Sequence, residues 1–509
     1  MELSEGERIS FKQSLASVRW IGSLPNKEDT WVGLEWDEES KGKHSGELDG
    51  VKYFTTRHPM CGSFMKLPVL LEGLDQTQCI STAIIDKYAD RTEQDFSECY
   101  VPTVKNQRKN IELVGTEKIQ ARQEKIDRLK EIALQTSMVK TIDPGFGAHL
   151  ISCESLLLDK NLLFSWNQIA QILSEIPNLK TLSISQNRIN QPLTVSFTHP
   201  LKILVLNSMD LVWEEALTLI PHLPCLEELH LYKNRCNVIS INPELFSNLK
   251  LLNLQDNQIS SWEMINQNCS GLPALEKLIL NQNQIDYIYY SGGFPRLEAL
   301  SVEQNCLNNW RSIDELYKFP AGLKELRIQG NPALQGNMRV SLLRFMVVGR
   351  IGTLNVLNGS AIRPQERIDA ERYYLRSNYD NPEATSTPRW QELVEKHGNP
   401  ADIATKISSD QDMAKQTLMS TTASVMLRSL VKATAGKELQ KKLSMNMTVA
   451  DLKVLCGKLF GAELSNMKLS YREGNNKEVV APEPLDDDLR TLNYYILSEG
   501  GEIWVEEQE

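Results

Sequence analysis

Leu275-Glu276-Lys277-Leu278-Ile279-Leu280-Asn281-Gln282-Asn283 is one complete copy of a phrase that recurs between Leu129 and Asn331. The phrase is Leu-x-x-Leu-x-Leu-x-x-Asn, with Ile or Val at some of the Leu positions. Clean copies end at Asn161, Asn187, Asn234, Asn257, Asn283, Asn305 and Asn331. One copy, with Leu201, Leu204 and Leu206, has Met209 where the Asn belongs. An earlier one, with Leu129, Ile132 and Leu134, ends at Ser137. Successive end positions lie 24, 26, 22, 25, 23, 26, 22 and 26 residues apart.

The phrase has a physical reading. In Leu-x-Leu the two apolar residues face one side of a short strand and the residue between them faces the other. An Asn side chain both donates and accepts hydrogen bonds, so it can pair backbone groups where each coil turns away from its strand. One coil cannot bury its own apolar face, and stacking is the solution. Amphipathic helices with accidental Asn would not keep nine copies in register. The period and phrase are those of leucine-rich repeats. They predict a solenoid with a parallel sheet on its concave side and helical pieces, such as Trp213–Leu219, on its convex side. The residues facing the concave surface then include Ile203 and Val205, then Glu228, His230 and Tyr232, then Lys277 and Ile279. Exposed apolar residues on an otherwise polar face are expected to bind a partner protein. The alternative is a face covered by neighbouring segments.

The rest of the chain is bounded by length and composition. A chain of 509 residues has room for about three domains. Its net charge of −11 argues against nucleic acid and anionic membrane as main partners. Nine cysteines with no Cys-x-x-Cys pair read as reduced thiols of a cytoplasmic protein. The start, Met1-Glu2-Leu3-Ser4-Glu5, is not that of a signal peptide. Apolar stretches are broken by charge, as by Arg339, Arg344 and Arg350, well before a membrane span is reached. No metal-ligand spacing, phosphate loop, nucleophile elbow or acid/base pair stands out, so neither catalytic residues nor a cofactor are expected.

Before the repeats, residues 8–68 alternate as short strands rich in Gly and Trp and predict a small SH3-like β-barrel. From Lys41 to Lys66, five basic residues (Lys41, Lys43, Lys52, Arg57 and Lys66) face two acidic ones, Glu47 and Asp49. A local charge of +3 beside Trp36, Phe54 and Phe64 suits a ligand that is both anionic and aromatic. Trp31 and Trp36 lie five apart, which places at least one of them in the core. The run Trp31-Val32-Gly33-Leu34-Glu35-Trp36-Asp37, then Gly42-Lys43-His44-Ser45-Gly46, then Gly62-Ser63-Phe64-Met65-Lys66, resembles a CAP-Gly domain. That resemblance implies a groove, formed by Trp36, Lys43, His44, Ser45, Phe54, Phe64 and Lys66, for acidic tails such as that of α-tubulin. Ser45 stands where the family has Asp.

Residues 69–115 read as a connector and lead-in, and a helix is expected over Thr116–Ala133. The repeats with a C-terminal cap, resembling that of intracellular leucine-rich repeats, occupy 116–376. Residues 377–420 read as a linker with one short helix near Pro388–His397. In 421–509 the order is strand, strand, helix from Thr448, strand, and a last hairpin over Tyr495–Val505 through Gly500-Gly501. It resembles a ubiquitin-like β-grasp, here a docking module because Glu502-Ile503-Trp504 follows the Gly-Gly. The overall expectation is a multi-domain α/β protein. The order of modules resembles the tubulin-folding cofactor E family. It implies a non-enzymatic, cytoskeleton-associated chaperone of α-tubulin acting with tubulin-folding cofactors B, C and D. The alternatives are a microtubule-associated CAP-Gly protein, and an adaptor that links tubulin to proteasome components through 421–509.

Overall fold

The computed structural model describes residues 3–88 (save 26), 100–102, 108–110, 126–334, 340–400 and most of 422–507. By internal packing it divides into two units, Met1–Gly336 with Thr353–Ile362, and Asn337–Gly352 with Arg363–Glu509.

The first unit begins with a four-stranded antiparallel sheet in the order Arg8–Phe11, Ser14–Ser23, Thr30–Trp36, Gly62–Lys66. Ile9, Ala16, Val18, Val32, Leu34, Trp36 and Leu70 form its core. In the segment after it, Leu67–Glu72 and Ile80–Tyr88 are helices. Ile80, Ala83 and Ile84 are the buried residues of the second and form its helical stripe. Gln78–Cys79 pairs in parallel with Val139–Thr141.

The solenoid sheet runs unbroken from Glu131–Ala133 to Val356–Leu357, with every neighbouring pair parallel. Ser360–Ala361 folds back antiparallel at its end. The helix expected over Thr116–Ala133 is corrected where it is described. Ile126–Arg128 is one 3-10 turn and Glu131–Ala133 is already a strand; 116–125 lie outside the described residues. The stripe at Ile126 and Leu129 is short, and pairing of Glu131–Ala133 with Ser155–Leu157 supplies backbone partners that a helix end would lack.

The repeat Asn residues sit where the phrase predicts, and all seven are buried. Asn187 shows the pattern. Its Nδ2 donates to the carbonyls of Leu158 in the preceding coil (2.9 Å) and Ile184 in its own (2.9 Å). Its Oδ1 accepts from the amides of Asn161 (3.1 Å) and Leu163 (3.2 Å). Asn283 repeats it on Leu254, Leu280, Asn257 and Ile259. The residue before each ladder position is left-handed in all nine coils: Thr136, Lys160, Gln186, Ser208, Lys233, Asp256, Gln282 and Gln304 at φ 53–59, and Gly330 at φ 80. Convex helices are capped locally. Ser165 and Gln168 form a capping box on Trp166–Glu175, and Ser261 caps Trp262–Cys269.

In the second unit, helices Val340–Arg350 and Pro364–Asn378 pair through Arg344 and Glu366 (2.5 Å). Helix Pro388–His397 is present as read, but it is no part of a free linker. Glu371, 1% exposed, holds Arg389 (2.7 Å), Lys396 (2.8 Å) and His397 (2.7 Å) from it. Residues 401–420 of the expected linker lie outside the described residues. The C-terminal sheet has the order Glu438–Ser444, Thr422–Ser429, Glu502–Glu507, Met467–Arg472, Glu483–Pro484. Helix Val449–Phe460 starts at Thr448, whose side chain accepts from the Asp451 amide. The hairpin expected over Tyr495–Val505 is corrected. Glu502–Glu507 pairs in parallel with Thr422–Ser429 and antiparallel with Met467–Arg472, so it is a central strand of the β-grasp.

Candidate functional site

Strand Gly62–Lys66 pairs with Thr30–Trp36, so that Phe64 lies opposite Gly33 and Lys66 opposite Trp31. Phe64 is the centre of an aromatic cluster, with ring centroids 4.9 Å from His44, 5.4 Å from Tyr53, 5.4 Å from Phe54 and 5.8 Å from Trp20. The loop Gly42–Gly46 is tied to the strand at Gly62. The Lys43 and His44 amides donate to its carbonyl (2.7 and 3.2 Å), and its amide donates to the His44 carbonyl (2.7 Å). Two glycines are required by this closeness. A Cβ on Gly42 would stand 1.9 Å from the Met60 carbonyl oxygen; one on Gly46, at φ +90, would stand 2.1 Å from that of Phe54.

Between loop and strands opens a cavity of about 320 Å³. Lys27, Lys41 and Lys43 supply positive charge at its wall, and Trp31, Trp36, Phe64 and His44 supply ring surface, with Leu48, Ser63 and Met65 completing it. Trp36 is 7% exposed and donates from Nε1 to Ser63 Oγ (2.6 Å), so its indole is core with one edge on the groove. Trp31 is the more open of the two. Lys27 Nζ lies 4.3 Å from its ring centroid, and Lys66 Nζ, paired with Asp29 at 2.6 Å, lies 5.8 Å from it. The Trp31 indole Nε1 is buried and has no hydrogen-bond partner among the described residues.

His44 is a neutral member of this set. Its Nδ1 accepts from the Gly46 amide (3.0 Å), which leaves the proton on Nε2, and burial pushes the imidazole below its ordinary value. The positive charge of the groove is therefore that of its lysines. Cationic ammoniums beside clustered rings can bind a carboxylate and an aromatic side chain of one short peptide.

Of the residues read from sequence, Trp36, Lys43, His44 and Phe64 line the cavity. Phe54 lies buried against Phe64 and His44, supporting the wall from behind. Ser45 is exposed on the loop, its Oγ accepting from the Met60 amide (3.3 Å). Lys66 stands at the rim. Arg57, counted with the basic residues, turns away into the solenoid. Lys41, counted with the same residues, does line the cavity, whereas Lys27, Trp31, Leu48, Ser63 and Met65 were not singled out. The available signal for Trp31 was its place two residues before Gly33, where a Cβ would come 2.4 Å from the Phe54 ring.

The second set of candidates shares one face of the solenoid sheet. Register places Ile203 beside Glu228, and Glu228 beside Leu251 and then Lys277; Val205, His230, Asn253 and Ile279 form the adjoining row. Ile203, Val205, His230 and Ile279 are half-buried, and His230 Nε2 meets Glu228 at 3.3 Å. Tyr232 is fixed by its amide donating to Asn207 Oδ1 (2.8 Å). Among the described residues there is no cluster able to hold a metal ion, and no helix is long and apolar enough to cross a membrane.

Residues 5–69 match the CAP-Gly domain family, and residues 428–509 match the ubiquitin-like domain family. The chain is 30% identical over 528 residues to Tubulin-specific chaperone E of Xenopus laevis, covering 97% of this chain and 96% of that protein. It is 30% identical over 532 residues to Tubulin-folding cofactor E of Arabidopsis thaliana, covering 99% and 98%. The human Tubulin-specific chaperone E is 30% identical over 527 residues, covering 97% of each. Among solved structures, the C-terminal ubiquitin-like domain of mouse tubulin-specific chaperone e is 25% identical, with 17% of this chain and 90% of that one covered and a TM-score of 0.15. Sharing almost its entire length with such relatives at this identity, the chain belongs to the tubulin-specific chaperone E family.

Proposed function

We propose that this chain is a non-enzymatic tubulin-folding cofactor that captures α-tubulin at two points. The aromatic groove takes the acidic C-terminal tail, and the solenoid face around Ile203, Glu228, Lys277 and Ile279 holds the folded body. The observation that carries the reading is the cavity itself. Lys27, Lys41 and Lys43 converge with Trp31 and Phe64 in a chain whose net charge is −11. A tail that ends in carboxylates and an aromatic ring matches both halves of that lining. Two modest sites on one chain raise affinity through effective concentration, because the second contact becomes intramolecular. The family's names support tubulin as the client. Action with tubulin-folding cofactors B, C and D in building and taking apart the α/β heterodimer, in the cytoplasm, belongs to the same reading.

The test is a titration of the full chain with tubulin before and after proteolytic removal of the tails, repeated with Lys43→Ala. Loss of one charge-assisted contact is expected to weaken binding of intact tubulin about tenfold. On tailless tubulin the same substitution is expected to change nothing. If Lys43→Ala weakens tailless and intact tubulin alike, the groove does not read the tail.

A further inference from the structure

Arg57 lies between Phe54, which backs the groove, and Gly62, which holds its lysine loop. Its amide is fixed on its own domain, donating to Glu35 Oε1 at 2.5 Å. Its side chain leaves that domain. Nη2 donates to the Ile189 carbonyl (3.2 Å), and Nη1 to the carbonyls of Met209 (3.4 Å) and Asp210 (3.3 Å). The side chain is only 12% exposed, and the carboxylates of Asp210 and Glu215 lie 3.8 and 3.9 Å from its nitrogens.

The place of contact is not arbitrary. It is the coil in which Met209 interrupts the Asn ladder. Asp210, with a side chain 10% exposed, gathers Arg188 (2.7 Å), Arg235 (2.9 Å) and His58 (3.3 Å) as well. Arg188 also reaches Asp37 (3.8 Å), which Arg8 grips with both nitrogens (2.7 and 2.5 Å). A second contact lies beside it, where Asn190 Nδ2 donates to the Gly6 carbonyl (3.1 Å) and Ser17 Oγ (3.0 Å). The planar fork of an arginine suits such a seam: it answers several carbonyls at once while staying charged.

We propose that Arg57 is a positioning residue that locks the tail groove onto the solenoid at Ile189, Met209 and Asp210, so that the two binding points keep one spacing. The proposal rests on the two-point reading above. A rigid spacing raises effective concentration when it matches the client and avoids the loss that free rotation of the small domain would cause. Arg57 lines no part of the cavity, so its removal leaves the groove's own chemistry in place.

The experiment compares three ligands on the full chain: a synthetic peptide ending in Glu-Glu-Tyr, tailless tubulin and intact tubulin. With Arg57→Ala, peptide and tailless tubulin are expected to bind within about twofold of wild type, while the gain of intact over tailless tubulin shrinks about tenfold. Asp210→Asn, placed on the solenoid side and isosteric, is expected to do the same. Hydrogen exchange should rise at the amides of 189–191 and 208–210 in both. Retained peptide binding certifies that the small domain is folded. If wild type binds intact tubulin more tightly than tailless and both variants keep that gain in full, Arg57 is not the lock and the proposal falls. If wild type shows no gain, the two-point reading falls and the proposal with it.

Discussion

Asn283 contributes through its side-chain amide, which donates to the Leu254 and Leu280 carbonyls and accepts from the Asn257 and Ile259 amides that stacking has removed from water. Asn283→Leu keeps the volume and strands the Leu254 carbonyl and the two amides, while the Leu280 carbonyl still accepts from Asn305 Nδ2. Each unpaired buried group costs about 1–3 kcal/mol, so a loss of about 3 kcal/mol or more is expected in chemical denaturation. Gln282 beside it makes a different point. At φ 56 it occupies the left-handed region, which a β-branched side chain resists. Gln282→Val is expected to destabilise by about 1–2 kcal/mol although the residue is exposed. Gln282→Gly should change stability by under about 1 kcal/mol, its relief of strain offset by the entropy of a freer unfolded chain. Denaturant midpoints of the two variants measure the contrast. The Asn position was legible in the sequence because its spacing recurs. The left-handed residue before it was not, because Lys, Gln, Asp, Ser and Thr all occupy that place and share only a polarity common to exposed positions in general.

Among the elements, helix Pro388–His397 shows how a polar stretch can be structural. Thr387 caps it by accepting from the Trp390 amide, and Arg389 and Trp390 point inward. Burial alone would push the Glu371 carboxyl up; the hydrogen bonds from Lys396, His397 and Arg389 outweigh it and hold the group down at about 2. A carboxylate depressed in the folded state stabilises above its unfolded value near 4.5, and that contribution is lost as pH falls toward 2. Protection of the 388–397 amides relative to their intrinsic exchange rate is therefore expected to fall between about pH 4.5 and 2, and Glu371→Gln, already uncharged, should lack that acid step. If wild type and variant loosen in parallel over this window, the carboxylate is not the tie. The last strand of the C-terminal domain carries a related lesson. Gly500, at φ +81, has the mark of a hairpin turn, yet Glu502–Glu507 finds its partners in Thr422–Ser429 and Met467–Arg472, tens of residues away. Turn chemistry is local and strand partnership is not.

For the whole molecule, repeat period, apolar alternation and the Gly-Lys loop were sufficient to read a solenoid, a small barrel and a β-grasp, because each is written in short-range spacing of residue types. Local charge and ring content pointed to Lys43 and Phe64, and the resemblance to a CAP-Gly domain to His44; the backbone brings all three to one cavity wall. What the sequence could not determine is where long side chains go once domains meet. Arg57 counts toward a basic groove in one dimension and in three leaves it for the carbonyls of 189, 209 and 210. Met209 reads as a lapse in the ladder, and only the fold shows that the N-terminal domain rests on that coil. Lys27 and Trp31 became neighbours through the pairing of strands, at a spacing that has no meaning along the chain. Periodic burial is a local constraint, so sequence carries it. The partner of a buried charge depends on which surfaces are brought together, and only the tertiary structure decides that.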